Sequence, residues 1–202
     1  MDKFYIGMDI GATSVRFAIC DITSKTVFDI RKSRFEKYEN AKLEVDKNLC
    51  EPILKICGEM KKKGRQLAGI GISLPALLEE KSGIIDDWPN NKKWNGFPIK
   101  TYLSNKFIVP IAIEEDANSA ALGEYLFGAG KGHDSLAYVT ISSGIGCGLI
   151  VNNKLFVGQH GWAAELGHIR VTDKNILCTC GSIGCLQAVA SGPAILKEFM
   201  QT

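Results

Sequence analysis

Residues 161–187 read GWAAELGHIRVTDKNILCTCGSIGCLQ, and three of the chain's seven cysteines fall inside this stretch. His168, Cys178, Cys180 and Cys185 follow the spacing H-x9-C-x-C-x4-C, with Gly181 and Gly184 inside the cysteine loop. Thiolates and an imidazole at such spacings suit a tetrahedral zinc site. Glycines let a short loop fold back until its sulfurs converge. Two blander readings stand beside this one: buried free thiols, or a single disulfide. Cys178 and Cys180 are badly placed to pair with each other, and geometry constrains any other bridge.

Working outward, 202 residues can bury a sizeable core in one domain or two small ones. Hydrophobic residues make up 46% and charged residues 23%, which is ordinary for a soluble globular protein. A net charge of +2 gives no electrostatic case for nucleic acid or an acidic membrane. The Lys61-Lys62-Lys63 run falls at an expected helix end and reads as a solvated face. The opening MDKFYIGMDIGATS is too polar for a signal peptide, and no run reaches transmembrane length. Seven cysteines without a secretory signal fit a reducing cytoplasm.

Taken in order, Phe4–Met8, Val15–Ile22 and Thr26–Ser33 alternate as three strands of a meander. Between the first two lies Asp9-Ile-Gly11-Ala-Thr13. Its glycine admits a ligand to the backbone, and its acid and hydroxyl suit a phosphate with a metal-bound water. An ordinary hairpin turn explains the same residues. Asn40–Lys63 has helical spacing, and Pro52 predicts a kink or break near Glu51. Leu67–Leu74 is a buried strand, so strand-helix-strand order implies a parallel pair. Residues 77–97 read as a long polar loop. Asp86, Asp87, Asn90 and Asn91 beside Trp88 and Trp94 offer what a sugar needs, or simply a surface loop with anchoring tryptophans. A short helix over 98–106 and a strand over 107–113 lead to Asp116, at a strand end before an alanine-rich helix. That is the usual ligand crevice of an α/β sheet, and also the place of an ordinary helix N-cap. Strand 135–141, the turn Ser142-Ser143-Gly144-Ile145-Gly146 and a further strand repeat the first hairpin's design. A last helix starts at Ser191.

In this order the motifs resemble those of the ROK group of sugar kinases and repressors, which have the actin-like ATPase (ribonuclease H-like) α/β fold. The resemblance rests on Asp9-x-Gly11-x-Thr13, Asn90 with Trp94, Asp116-Ala-Asn118, Ser143-Gly-Ile-Gly-x-Gly148, and Glu165-x-Gly-His168 with the three cysteines. It implies two domains, 1–114 and 115–202, the second incomplete because the chain is shorter than the family. It implies ATP-dependent phosphorylation of a hexose or N-acylhexosamine, with Asp116 as general base. Asn90, Glu115, Asp116, Glu165, His168 and Gln187 would line the sugar. Asp9 would hold Mg²⁺, and Gly11, Thr13, Ser143, Gly144 and Gly146 would meet the nucleotide phosphates. His168, Cys178, Cys180 and Cys185 would hold a structural zinc, and the assembly would be a homodimer. A sugar-sensing regulator or an inactive sugar-binding module is the alternative. With the first strand at residue 3 a helix-turn-helix is not expected. The chain departs from the family at Ala12, Ala76, Ser142 and Cys147, where glycine is usual. It departs also at Glu115, usually Asn, and at Gln187, usually Glu.

Overall fold

Apolar alternation along the first strands decides which face of the sheet is core. The computed structural model describes residues 2–79, 82–159 and 161–200. The chain forms two compact units, Met1–Asp116 and Ala117–Thr202. In the first unit, β1 (Asp2–Ile10), β2 (Ser14–Asp21) and β3 (Thr26–Arg34) make the expected antiparallel meander. Phe4, Ile6, Met8 and Ile10 of β1 and Val15, Phe17 and Ile19 of β2 are buried. Each contributes roughly 1.5–3 kcal/mol on burial, far more than the exposed ion pairs of the same sheet. The outer strand β3 is mostly exposed and carries Arg31, Lys32 and Arg34, charges that guard a sheet edge.

The helical stretch after the meander changes its winding just before Glu51, where Pro52 predicts a kink or break. Asn40 caps α1 (Ala41–Val45), its side chain accepting from the Leu43 N–H at 2.9 Å. A π turn over Asp46–Cys50 follows, and α2 (Glu51–Lys62) continues from it. Pro52 therefore sits in the first turn of α2, where its missing N–H costs little, and the wider π turn replaces a break. Ile53, Ile56 and Met60 of α2 face the core.

β4 (Arg65–Leu74) pairs parallel with β1, as the strand-helix-strand order requires. The segment 77–97 is not the long loop expected. β5 (Leu77–Leu78) and β6 (Ile85–Asp87) pair antiparallel, and a 3-10 turn covers Lys92–Trp94. Trp88 and Trp94 are fully buried and meet edge to face at 4.9 Å, with Phe35 against both. Neither indole is a stacking surface for a sugar; both are core.

After α3 (Ile99–Lys106), residues 107–110 are irregular, and β7 spans only Ile111–Glu115. The expected strand over 107–113 starts late because Phe107 N–H still closes the helix on Leu103 O, and Pro110 has no N–H to give a ladder. β7 pairs parallel with β4, which completes a sheet of order β3-β2-β1-β4-β7.

α4 (Asp116–Phe127) leads the chain onward. In the second unit β8 (Leu136–Ile141), β9 (Ile145–Val151) and β10 (Lys154–Leu155) form an antiparallel sheet in the order β10-β9-β8. A Cβ on Gly148 would lie 2.4 Å from Ala117 O and 2.7 Å from Ala121 Cβ, so here the strand lies against helix backbone. Of the small residues of α4, Ala117 and Ala121 are buried, while Gly123 faces open space. The final helix expected from Ser191 is α6 (Gly192–Phe199), with Ser191 at its N-cap, and a short α5 (Leu186–Ala190) precedes it.

Candidate functional site

The cysteine stretch closes on itself as its glycines predict. Cys178 N–H donates to Ser182 O, Gly181 N–H to Cys178 O and Gly184 N–H to Ile176 O. Gly181 and Gly184 both hold positive φ, and a Cβ on Gly184 would meet Thr172 O at 2.1 Å. This knuckle and the turn Leu166–His168 bring one nitrogen and three sulfurs together. The four donor atoms of His168, Cys178, Cys180 and Cys185 all lie within 4.8 Å of one another. No cysteine among the described residues is in a disulfide.

The donor set passes a test for zinc. A tetrahedral zinc with Zn–S of about 2.3 Å and Zn–N of about 2.0 Å requires S···S edges of about 3.8 Å and S···N edges of about 3.5 Å. The Cys180 and Cys185 sulfurs are 3.8 Å apart, and Cys178 Sγ is 3.7 Å from His168 Nδ1. Burial pushes the Cys178 thiol up, but hydrogen bonds from the Cys180 backbone and the Gln187 amide outweigh it and bring the thiol down to about 6. A thiolate at neutral pH is the form that ligates a metal.

His168 offers its other nitrogen elsewhere. Its Nε2 is 4.0 Å from Glu165 Oε2, and both side chains are partly open to solvent. Glu165 is carried by an unusual backbone: Ala164 holds φ +67°, a left-handed conformation that disfavours any Cβ. Gln187 has both ends of its amide engaged. Its Nε2 donates to Cys178 Sγ at 3.4 Å and to Thr179 Oγ1 at 3.1 Å, and its Oε1 accepts from Ile145 N–H at 3.4 Å. The Ser142–Gly146 turn thus meets the cysteine knuckle through one side chain. Ser143 is exposed at the tip of this turn, and Gly144 and Gly146 flank Ile145.

In the first unit the acids stand at one end of the parallel strands. Asp9, Ser73 and Glu114 share a row across β1, β4 and β7, with Glu115 and Asp116 just beyond it. Asp9 and Glu114 are two strands apart, or about 9.6 Å by standard sheet spacing. Arg16 Nη1 donates to Asp9 Oδ2 at 2.6 Å. Gly11 N–H closes the first turn on Ser14 O at 2.9 Å, and Thr13 is exposed on it. Asn90 is exposed, whereas its neighbour Asn91 is buried.

One residue passed over in the sequence holds this neighbourhood together. Glu44 of α1 is fully buried. Its carboxylate accepts from Asn91 Nδ2 at 2.8 Å, Trp94 Nε1 at 2.6 Å, Tyr38 N–H at 3.1 Å and Lys93 Nζ at 3.2 Å. A buried charge survives only when so paired. Burial raises its pKa, and these donors more than reverse that, so the carboxyl lies below its usual range. The only signal in the sequence is an acid flanked by the apolar Leu43 and Val45.

Comparison with known proteins places this geometry. The ROK family profile matches residues 5–202. The xylose repressor of Bacillus subtilis is 34% identical over 97% of this chain and 50% of its own length. The glucokinase of Thermotoga maritima is 34% identical over 97% of this chain and 59% of its own. The structure of a ROK family glucokinase from Streptomyces griseus, in complex with glucose and AMPPNP, superposes with a TM-score of 0.76. It is 34% identical and covers 98% of this chain and 60% of that one. The chain therefore spans about half to three-fifths of the length of the relatives it matches. Among the described residues no helix is long and apolar enough to cross a membrane. From residue 5 to residue 202 the chain belongs to the ROK family and has its actin-like ATPase, ribonuclease H-like α/β fold.

Proposed function

We propose that the full-length protein is a sugar kinase that transfers the γ-phosphoryl group of ATP to a hydroxyl of a hexose or N-acylhexosamine. The observation that carries this reading is the row of acids at one end of the parallel strands, Asp9 on β1 and Asp116 just after β7. Ligands of open α/β sheets bind at that end. Asp116 takes the proton of the sugar hydroxyl as its oxygen forms the new P–O bond and ADP departs. Transfer of this kind depends mostly on positioning and charge stabilisation, so one well-placed carboxylate serves as base. Asp9 holds Mg²⁺, which neutralises phosphate charge when bound. Gly11, Thr13, Ser143, Gly144 and Gly146 take the phosphates. Asn90, Glu115, Glu165 and His168 are the sugar's partners, while the amide of Gln187, at a position expected to line the sugar, is engaged on the protein at both ends. The glucokinase relatives support the activity, and the neighbour in complex with glucose and AMPPNP supports both substrates.

His168, Cys178, Cys180 and Cys185 would hold a zinc with four protein ligands, leaving no position for substrate, so its role would be structural. Held there, the His168 ring would keep one orientation.

A second reading has its own support. Xylose repressors are as similar as the glucokinases, and Arg16 occupies an oxygen of the acid assigned to Mg²⁺. In that reading the protein binds sugar and regulates without turnover. A coupled assay for ADP release over a panel of hexoses and N-acylhexosamines, run beside direct sugar-binding titrations on wild type and Asp116→Asn, separates the two. The kinase reading expects turnover that falls at least 100-fold in Asp116→Asn while sugar affinity stays within a few-fold. Tight sugar binding with no ADP release in wild type sinks it in favour of the regulator.

A further inference from the structure

Gln187 stands where the family resemblance leads one to expect a sugar-binding carboxylate, yet its amide is turned onto the protein at both ends. We infer that Gln187 is a positioning residue that ties the metal-binding thiolate of Cys178 to the β8–β9 turn, so that metal occupancy and the order of that turn are coupled. The inference rests on the zinc assignment made above and adds to it a residue outside the ligand set.

Two observations converge. The first is the orientation of the amide. Ile145 N–H needs an acceptor, so the end facing it is Oε1. The end facing Cys178 Sγ and Thr179 Oγ1 is then the donor, Nε2. A flipped amide would set donor against donor at Ile145. The second is the slot that holds it. A Cβ on Gly144 would lie 3.0 Å from Gln187 Oε1, and a Cβ on Gly167 would lie 3.1 Å from the same atom. Glycine on both sides lets the amide oxygen reach the turn. Outer partners of metal ligands commonly change affinity by roughly 10–100-fold when removed.

The connection continues beyond the turn. Ser142 N–H donates to Gly144 O at 2.9 Å, and Ser142 O accepts from Gly192 N–H at 2.9 Å at the start of α6. Gln187 itself lies in α5. Losing the Cys178 anchor would free the amide that accepts from Ile145, and the turn would lose one of its fixed points.

The test uses the full-length protein with Zn²⁺ as probe. Zinc affinity is measured by competition with a chromophoric chelator for wild type and Gln187→Ala. Hydrogen exchange at the Ile145 amide is followed with and without zinc. The inference expects about 10–100-fold weaker zinc binding in Gln187→Ala. It also expects Ile145 exchange that speeds up at least tenfold when zinc is stripped from wild type, and exchange in Gln187→Ala that is fast in both states. Zinc affinity equal in the two proteins overturns it, as does Ile145 exchange in wild type that ignores zinc. The exchange comparison needs no variant, so a variant that fails to fold leaves that arm decisive. Wild type that takes up no zinc at all overturns the metal assignment itself, and this inference with it.

Discussion

Glu44→Ala removes the acceptor on which two segments, at Tyr38 and at Asn91–Trp94, converge, and the structure sets the size of the effect. Trp94 Nε1 and Asn91 Nδ2 donate to Oε2 from positions with little or no access to water. Each buried donor left without a partner costs about 1–3 kcal/mol. Lys93 is 41% exposed on its side chain and can return to solvent, so it adds little. The Tyr38 N–H loses its bond but lies near the surface. The expected loss in Glu44→Ala is therefore about 3–5 kcal/mol, read as a shift in the urea unfolding midpoint at pH 7. Glu44→Gln keeps the shape but turns one acceptor into a donor facing donors, and about 2–3 kcal/mol is expected. The pH dependence follows from the direction of the shift. The folded carboxyl titrates below its unfolded value. Its stabilisation is therefore fully present above the unfolded pKa of about 4.3 and disappears as pH falls through the lower folded value. The gap in stability between wild type and Glu44→Gln should be constant from pH 8 to pH 6 and shrink in acid. Glu44→Gln within about 0.5 kcal/mol of wild type at pH 7 would refute the reasoning, because it would mean the donors find other partners.

Gly148→Ala drives a methyl into Ala117 O and Ala121 Cβ, and about 2–3 kcal/mol of destabilisation is expected by thermal or urea unfolding. Ala164→Gly relieves a left-handed residue at φ +67°; the relief of about 1–2 kcal/mol is partly offset by a more flexible unfolded chain, which leaves a gain of about 0.5–1 kcal/mol in the same assay. Stripping zinc with a chelator should lower the unfolding temperature and unprotect the amides of Cys178 and Gly184, and an unchanged melting curve would remove the structural role.

How much of this was legible in the sequence differs by residue, for physical reasons. β1 and β2 are read correctly because their apolar residues alternate with period two, the pattern of a strand with one buried face. The cysteine knuckle is legible because sulfur ligands must be close in sequence when one short loop supplies three of them. The loop over 77–97 is misread because Asp, Asn and Trp look alike in a surface loop and in a buried aromatic cluster. What turns Trp88 and Trp94 inward is Phe35, and what satisfies the Trp94 indole is Glu44, fifty residues away. No local pattern carries a partner at that distance. The strand expected over 107–113 starts late because the Phe107 N–H still closes α3 and Pro110 offers the ladder only its carbonyl, which accepts from the Ile70 N–H.

The same distinction bears on the two residues that depart most from the family's usual pattern near the sugar. Glu115 and Gln187 look alike from the sequence: each is a sugar position with an altered side chain. Their surroundings separate them. Glu115 is the last residue of β7, aligned with Leu74 of β4, and lies beside the acid assigned as base. A change there acts where substrate binds in the kinase reading. Gln187 sits in a slot lined by two glycines, with one end on sulfur and the other on a turn amide. A change there acts first on the metal and only through it on the sugar. Substitution of the two should therefore split the readouts. Glu115→Asn should alter sugar affinity with zinc affinity unchanged, measured by the two titrations on the same preparation. Gln187→Ala should weaken zinc first and change sugar binding only as far as zinc is lost, so restoring saturating zinc should restore most of it. Sugar affinity in Gln187→Ala that changes at saturating zinc by as much as in Glu115→Asn would mean that the amide meets the sugar directly, and that its bond to Cys178 is incidental.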